Sequence, residues 1–222
     1  MSHFLDLADL QADALRQILD AGAARKAARA GLPKGAVDAD ALLAGHVLAM
    51  IFEKPSTRTR LSFDLGMRQL GGQTMVLNQS DMQLGRGESI SDTGQVISRF
   101  ADIAMLRTGP HETLTELAAH AQIPVINGLT AHSHPCQIVA DLMTFEEHKG
   151  RLNGQRLAWL GDGNNVAVSF VQAAALVDFE LALAVPDKFA VPQVEIEAAR
   201  AKGAKITLCE TAEEAAKGAS AL

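Results

Sequence analysis

Val47-Leu-Ala-Met-Ile-Phe52, followed by Glu53-Lys-Pro55 and then by Ser56-Thr-Arg-Thr-Arg-Leu-Ser-Phe-Asp-Leu-Gly-Met-Arg-Gln-Leu70, is the stretch that decides the fold. A short apolar run bounded by polar residues reads as a strand. The next segment carries Leu61, Leu65 and Leu70 on a helical stripe and is stopped by Gly71-Gly72. Strand passes directly into helix. The same rhythm recurs on both sides. A helix is expected over Asp9–Ala30, closed by Gly31-Leu-Pro33. Strands are expected at Thr74–Leu77, Ile103–Leu106 and Pro124–Ile126, with helices at Ser91–Phe100, Glu112–His120 and Pro135–His148. Beyond Gly150–Gly154 come strands at Arg156–Leu160, Leu181–Val185 and Lys205–Leu208. Helices Val166–Val177 and Val194–Ala201 alternate with them, and a weak helical segment follows. Short strands alternating with helices indicate an α/β chain of two open parallel-sheet domains with helices on both faces.

Composition narrows the function classes. The chain has 222 residues, 48% hydrophobic and 21% charged, enough for a sizeable core and unlike a disordered segment. Twenty basic against 26 acidic side chains give a net charge of -6, which disfavours a general nucleic-acid binder while leaving room for a local basic site. No apolar run reaches the roughly 18 residues of a membrane span, and the start is acidic and amphipathic, so neither membrane nor secretion is expected. Two cysteines, Cys136 and Cys209, form no disulfide framework and suit a reducing, cytoplasmic setting. Domains are expected at 1–148 and 149–222, the helix before Gly150 being assignable to either. The second domain shows few strands for a stable sheet. Either it is a marginal small domain or it is incomplete, and the second reading is preferred.

Chemistry concentrates at Ser56-Thr57-Arg58-Thr59-Arg60. The first turn of a helix presents unpaired N–H groups and the positive end of its dipole. Hydroxyls at Ser56, Thr57 and Thr59 add donors, and Arg58 offers a fork matched to phosphate oxygens. Arg58 and Arg60 stand about 200° apart on a helix, so one is expected to face an anion and the other to brace the helix or pair with an acid. A capped helix with solvated arginines is the plain alternative. The spacing is not that of a P-loop.

Other strand ends point the same way, because ligands of open parallel sheets bind beyond the carboxyl ends of strands. Ile103–Leu106 runs into Arg107, and Pro124–Ile126 leads to His134-Pro-Cys-Gln137. Arg107 and His134 are expected to converge on the Ser56 helix. His134 at a helix start would remain neutral and able to donate to a polarised carbonyl. The alternation of His132, His134 and Cys136 resembles metal-ligand spacing, but Pro135 and the helical pattern argue against it. Gly161-Asp-Gly-Asn-Asn165 resembles a dinucleotide turn but has Val166 at the third glycine position, so NAD is not expected. The amides of Asn164 and Asn165 could receive an amino-acid head group, or the segment is a plain turn. The glycine-hinged loop Asp81–Ser89 reads as a lid, an arm to a neighbouring subunit, or a surface loop.

Taken together, Phe52–Arg60, the Met82–Thr93 stretch MQLGRGESISDT, Met105–Thr108 with His111-Glu112, Asn127–Thr130, His134–Gln137 and Trp159–Asn165 resemble the aspartate/ornithine carbamoyltransferase family. Cys136, the NGLT stretch and GDGNN favour its ornithine branch over the aspartate one. The resemblance covers nearly the whole chain. It implies a carbamoyl-phosphate-binding domain with a linking helix, a partial ornithine-binding domain, and a homotrimer or multiple of trimers. It implies that Ser56, Thr57, Arg58, Thr59 and Arg107 hold the phosphate. Arg107, His134 and Thr59 would polarise the carbamoyl oxygen, and Gln137 would orient its amide. Gln83 and Arg86 would reach a neighbouring subunit's ligand, and Asn165 would meet ornithine. No metal or organic cofactor is implied; the partners are carbamoyl phosphate and L-ornithine.

The chain departs from the family pattern in its second half, where Cys209, in Thr207-Leu-Cys-Glu210, does not match the family's cysteine motif. The Asp-and-SMG loop, the HCLP motif and the returning C-terminal helix are absent, and Val168 and Asp178 stand where the family often has Asn and Gly. The expected activity is ornithine carbamoyl transfer. A non-catalytic carbamoyl-phosphate-binding or assembly fragment, and the aspartate-specific enzyme, are the alternatives.

Overall fold

A computed structural model describes residues 2–81 and 87–222. Gln83 and Arg86, the arm residues expected from the sequence, lie outside the described residues. The chain forms two compact units, Met1–Leu5 with Lys26–Ala131, and Asp6–Arg25 with His132–Leu222. Helix α1 (Ala12–Ala28) crosses the division and is preceded by a 3-10 turn at Leu7–Asp9, where the sequence suggested a helix from Asp9.

The first unit is a four-stranded, wholly parallel sheet ordered β2-β1-β3-β4. Its strands are β1 (Val47–Phe52), β2 (Gln73–Asn78), β3 (Ile103–Arg107) and β4 (Val125–Leu129); α2 (Thr57–Gln69), α3 (Ile90–Ile97) and α4 (His111–His120) connect them. Every residue of β1 after Val47 is buried because the sheet is covered on both faces. Ala49 and Ile51 join Ala104, Leu106 and Val125 beneath Ile97 of α3 and Leu114 and Leu117 of α4. Leu48, Met50 and Phe52 point the other way, with Met105, toward Met67 and Phe63 of α2. This is the continuous apolar pattern that a two-sided strand requires.

Two expectations are corrected here. The buried face of α2 runs through Met67 and the partly buried Phe63, while Leu61 is 63% exposed. Periodicity found a stripe, but not the one that meets the sheet. Strand β4 also continues past Ile126 through Asn127-Gly128-Leu129, which the sequence assigned to a loop. Asn127 is fully buried, its amide donating to the Leu5 carbonyl at 2.8 Å, so its polarity is satisfied inside the fold.

The second unit is a three-stranded parallel sheet, β5 (Gln155–Leu160), β6 (Phe179–Ala184) and β7 (Lys205–Leu208), in sequence order. Helices α6 (Asn165–Ala174) and α7 (Gln193–Ala201) connect the strands; α5 (Pro135–Lys149) precedes them and α8 (Ala212–Ala216) follows. Small side chains, Ala158, Ala182 and Ala215 with Cys209, form one core cluster. Near the end, Ala221 adds a parallel bridge to Leu157 of β5. Arg16 of α1 grips Glu146 of α5 through two hydrogen bonds of 2.9 and 2.8 Å, tying these two helices together.

Candidate anion-binding site

Strand β1 lies between β2 and β3, so successive connections leave it in opposite directions and a crevice opens at the carboxyl ends of β1 and β3. Helix α2 starts in that crevice. Ser56 is its cap: the extended backbone turns the hydroxyl to accept from the Thr59 N–H at 3.3 Å and to donate to Thr59 Oγ1 at 2.9 Å. Thr57 and Arg58, in the first turn, are exposed.

Arg107 ends β3 in register with Phe52, the last residue of β1. Its Nη1 donates to Thr59 Oγ1 at 3.4 Å, so the guanidinium at the strand end meets the helix start within this unit. Its Nε is buried without a hydrogen-bond partner among the described residues. Burial, and then the like charge of Arg58, push the Arg107 pKa below its ordinary value. Neither guanidinium has an ion-pair partner among the described residues. Two like charges at one helix N-terminus, one of them partly desolvated, repel one another, a repulsion that an anion would relieve.

Arg60, exposed on the same helix, acts on Asp64 only through its charge. Asp64, one turn on, has its carboxyl held below the usual range by the Thr74 hydroxyl first, and also by Arg68 and Arg60. A further cation was not singled out from the sequence: a Cβ on Gly109 would lie 3.2 Å from Lys54 Nζ, so this ammonium rests over the turn after β3. Also missed were Glu53 and Thr108, which hydrogen-bond to one another, and His111, whose Nδ1 lies 3.0 Å from the buried Thr130 hydroxyl. They lie within stretches that carry the family resemblance, but their pairing emerges only once the strand exits lie side by side.

The remaining predicted residues belong to the second unit. His134 occupies the cap position of α5, and its backbone N–H donates to the fully buried Ser169 hydroxyl of α6 at 2.9 Å. Gln137 is exposed, with Nε2 donating to Asp141 Oδ1 at 2.8 Å; burial raises the Asp141 pKa, and that bond opposes the shift. Desolvation pushes the Cys136 thiol up to about 12, so the free thiol stays protonated at neutral pH. His132 stands 3.4 Å from Asp6 and 3.6 Å from Glu195. Among the described residues no group of three or more His, Cys, Asp or Glu side chains could hold a metal ion.

At the second strand-to-helix turn, Asn164 caps α6, its oxygen accepting from Val166 and Ala167 at 2.9 and 3.2 Å. Its Nδ2 donates to Asp162, so the Asn164 amide is committed internally; Asn165 is the first residue of the helix proper. Gly163 has a packing role. A Cβ there would lie 2.4 Å from the Val191 nitrogen and 2.6 Å from the Phe189 carbonyl. A cleft of about 870 Å³ opens at the carboxyl ends of β5, β6 and β7, and the charged residues on its wall are Asp187 and Glu210. Such a wall does not suit a phosphate.

Known proteins resemble the chain along nearly its whole length. The profile described as "Aspartate/ornithine carbamoyltransferase, carbamoyl-P binding domain" matches residues 2–147, and "Aspartate/ornithine carbamoyltransferase, Asp/Orn binding domain" matches 153–222. The ornithine carbamoyltransferase of Rhizorhabdus wittichii is 56% identical over 217 residues, 97% of this chain and 70% of that protein. The Cereibacter sphaeroides enzyme of the same name is 50% identical, over 99% and 71% of the two chains. The solved ornithine carbamoyltransferase of Pyrococcus furiosus superposes with a TM-score of 0.90 at 40% identity, covering 98% of this chain and 69% of its own. That of Burkholderia thailandensis gives 0.88 at 38% identity, covering 99% and 73%.

Proposed function

We propose, from the premise that this chain belongs to the aspartate/ornithine carbamoyltransferase family, that it binds carbamoyl phosphate at the start of α2 and passes the carbamoyl group to the δ-amine of L-ornithine, giving citrulline and phosphate. The observation that carries the reading is Arg107, bonded to Thr59, crowded by Arg58 and retaining a buried Nε without a partner among the described residues.

In this reading residues 1–148 form the carbamoyl-phosphate domain and 149–222 the ornithine portion. Ser56, Thr57, Arg58, Thr59 and Arg107 hold the phosphate through helix N–H groups, hydroxyls and guanidinium forks. The neutral δ-amine attacks the carbamoyl carbon, the C–O bond to phosphate breaks, and the amine's proton passes to the departing phosphate. Negative charge then grows on the carbamoyl oxygen and on the departing phosphate, where Arg107, Thr59 and a neutral His134 donate to it. Gln137 orients the carbamoyl amide, and Asn165 receives the amino-acid head group. The α5 start that bears His134 is fastened to α6 through Ser169, a rigid mount for a group that must be oriented. Gln83 and Arg86 act on the ligand of a neighbouring subunit in a trimer. Unit one leaves Leu61 and Phe100, the latter 68% exposed, as apolar surface that assembly would cover. No helix among the described residues is long and apolar enough to cross a membrane.

A citrulline assay on the purified chain, run beside calorimetry with carbamoyl phosphate, tests the proposal. Binding with turnover supports it. Binding without product would make the chain a carbamoyl-phosphate-binding fragment, and no binding would end the anion-site reading.

A further inference from the structure

The exit of β3 departs from a regular parallel ladder at one place. Leu106 pairs with Asn127, but the next residue, Arg107, pairs with Leu129, so β4 carries one extra residue opposite the arginine. Bulges of this kind redirect side chains and cluster beside active sites. The extra residue is Gly128, and its identity is forced by packing. A Cβ there would fall 2.3 Å from the Met105 sulfur and 3.2 Å from the Leu106 carbonyl. Met105 has no exposed surface, so its sulfur has no open side to retreat to.

The residue after Arg107 is held just as firmly. Thr108 is fully buried; its N–H donates to the Leu129 carbonyl at 3.0 Å and its hydroxyl donates to the Glu53 carboxylate. Glu53 in turn donates its N–H to the Arg107 carbonyl at 3.0 Å. The Arg107 peptide is thus gripped from β1 on one side and from the β4 bulge on the other. Ala131 N–H to Gly109 carbonyl, at 2.7 Å, fastens the same two loops one step further out.

We propose that Thr108 and Gly128 are positioning residues that aim the Arg107 guanidinium at the anion. Thr108 ties the β3 exit to Glu53, and Gly128 lets β4 bulge against it. The inference rests on the reading that Arg107 binds phosphate. Neither residue touches the ligand; each acts through the backbone of Arg107.

Calorimetric titration of the 222-residue chain with carbamoyl phosphate and with inorganic phosphate, beside thermal melts, tests this. Thr108→Val should weaken both ligands by about tenfold, a loss typical of one broken buried hydrogen bond, while Thr108→Ser keeps parental affinity. Gly128→Ala should weaken them comparably, and it carries the test if Thr108→Val does not fold. In an Arg107→Ala background, titrated with millimolar phosphate, neither substitution should reduce affinity further, because residues acting through one group are not additive. A Thr108→Val chain that melts earlier yet binds phosphate as well as the parent would overturn the proposal, as would an equal loss in both backgrounds. Unchanged phosphate affinity in Arg107→Ala alone would instead remove the site reading on which it depends.

Discussion

Helices α2 and α6 both begin directly after a parallel strand, at the carboxyl edge of a sheet, and both carry a polar cap, Ser56 in one unit and Asn164 in the other. Their surroundings diverge. Asn164 accepts from two N–H groups of α6 and donates to Asp162, and the preceding glycine is packed against residues 189–191, so that turn closes upon itself. Ser56 accepts from only one N–H, and the α2 turn carries Arg58 and is met by Arg107, neither with an ion-pair partner among the described residues. A helix start becomes an anion site when its donors outnumber its internal acceptors. Backbone geometry alone does not achieve it.

The sharpest way to break this contrast is Arg58→Ala. It should cost roughly 2 kcal/mol of carbamoyl-phosphate binding, the worth of a charge-assisted contact, or about 30-fold in Kd by calorimetry, with little change in melting temperature. An unchanged Kd would reduce the α2 turn to an ordinary capped helix.

Gly163→Ala should do the reverse. Its new Cβ meets backbone, which cannot move aside as a flexible side chain would, so a stability loss of about 1–3 kcal/mol is expected in denaturant titration. Phosphate affinity should hold; a large fall there would mean the two turns are not independent.

The two caps sharpen the contrast further. Ser56→Ala and Asn164→Ala should each lower stability by about 1 kcal/mol. Only the first should also weaken phosphate, and parallel effects on both readouts would refute the distinction.

The smallest effect concerns pH. Burial raises the Asp141 pKa above its ordinary 3.8, so its contribution favours the folded state below that value and is lost as pH rises through the shifted pKa. Asp141→Asn should therefore gain stability over the parent at neutral pH and lose that advantage near pH 3, a crossover that melting curves would detect.

Much of the fold was legible because parallel strands are marked by local chemistry. Val47–Phe52 and Lys205–Leu208 have the expected bounds, since apolar runs flanked by polar residues need no partner to be recognised. The errors arose where partners decide. Leu61 lies on a periodic stripe, yet Phe63 and Met67 are the residues that meet Leu48, Met50 and Phe52. Asn127-Gly128 reads as a turn in isolation and is a strand only because Leu5 satisfies the asparagine and Met105 fills the space beside the glycine.

The amino-acid order by itself determined the α/β alternation and the hydroxyl-and-arginine opening of α2, because each follows from residues within one or two helical turns. Tertiary structure alone decided which stripe of α2 is buried, and that Glu53, Thr108 and Gly128 surround the backbone of Arg107. Those residues are tens of positions apart, and their chemistry exists only once neighbouring strands have paired in one register.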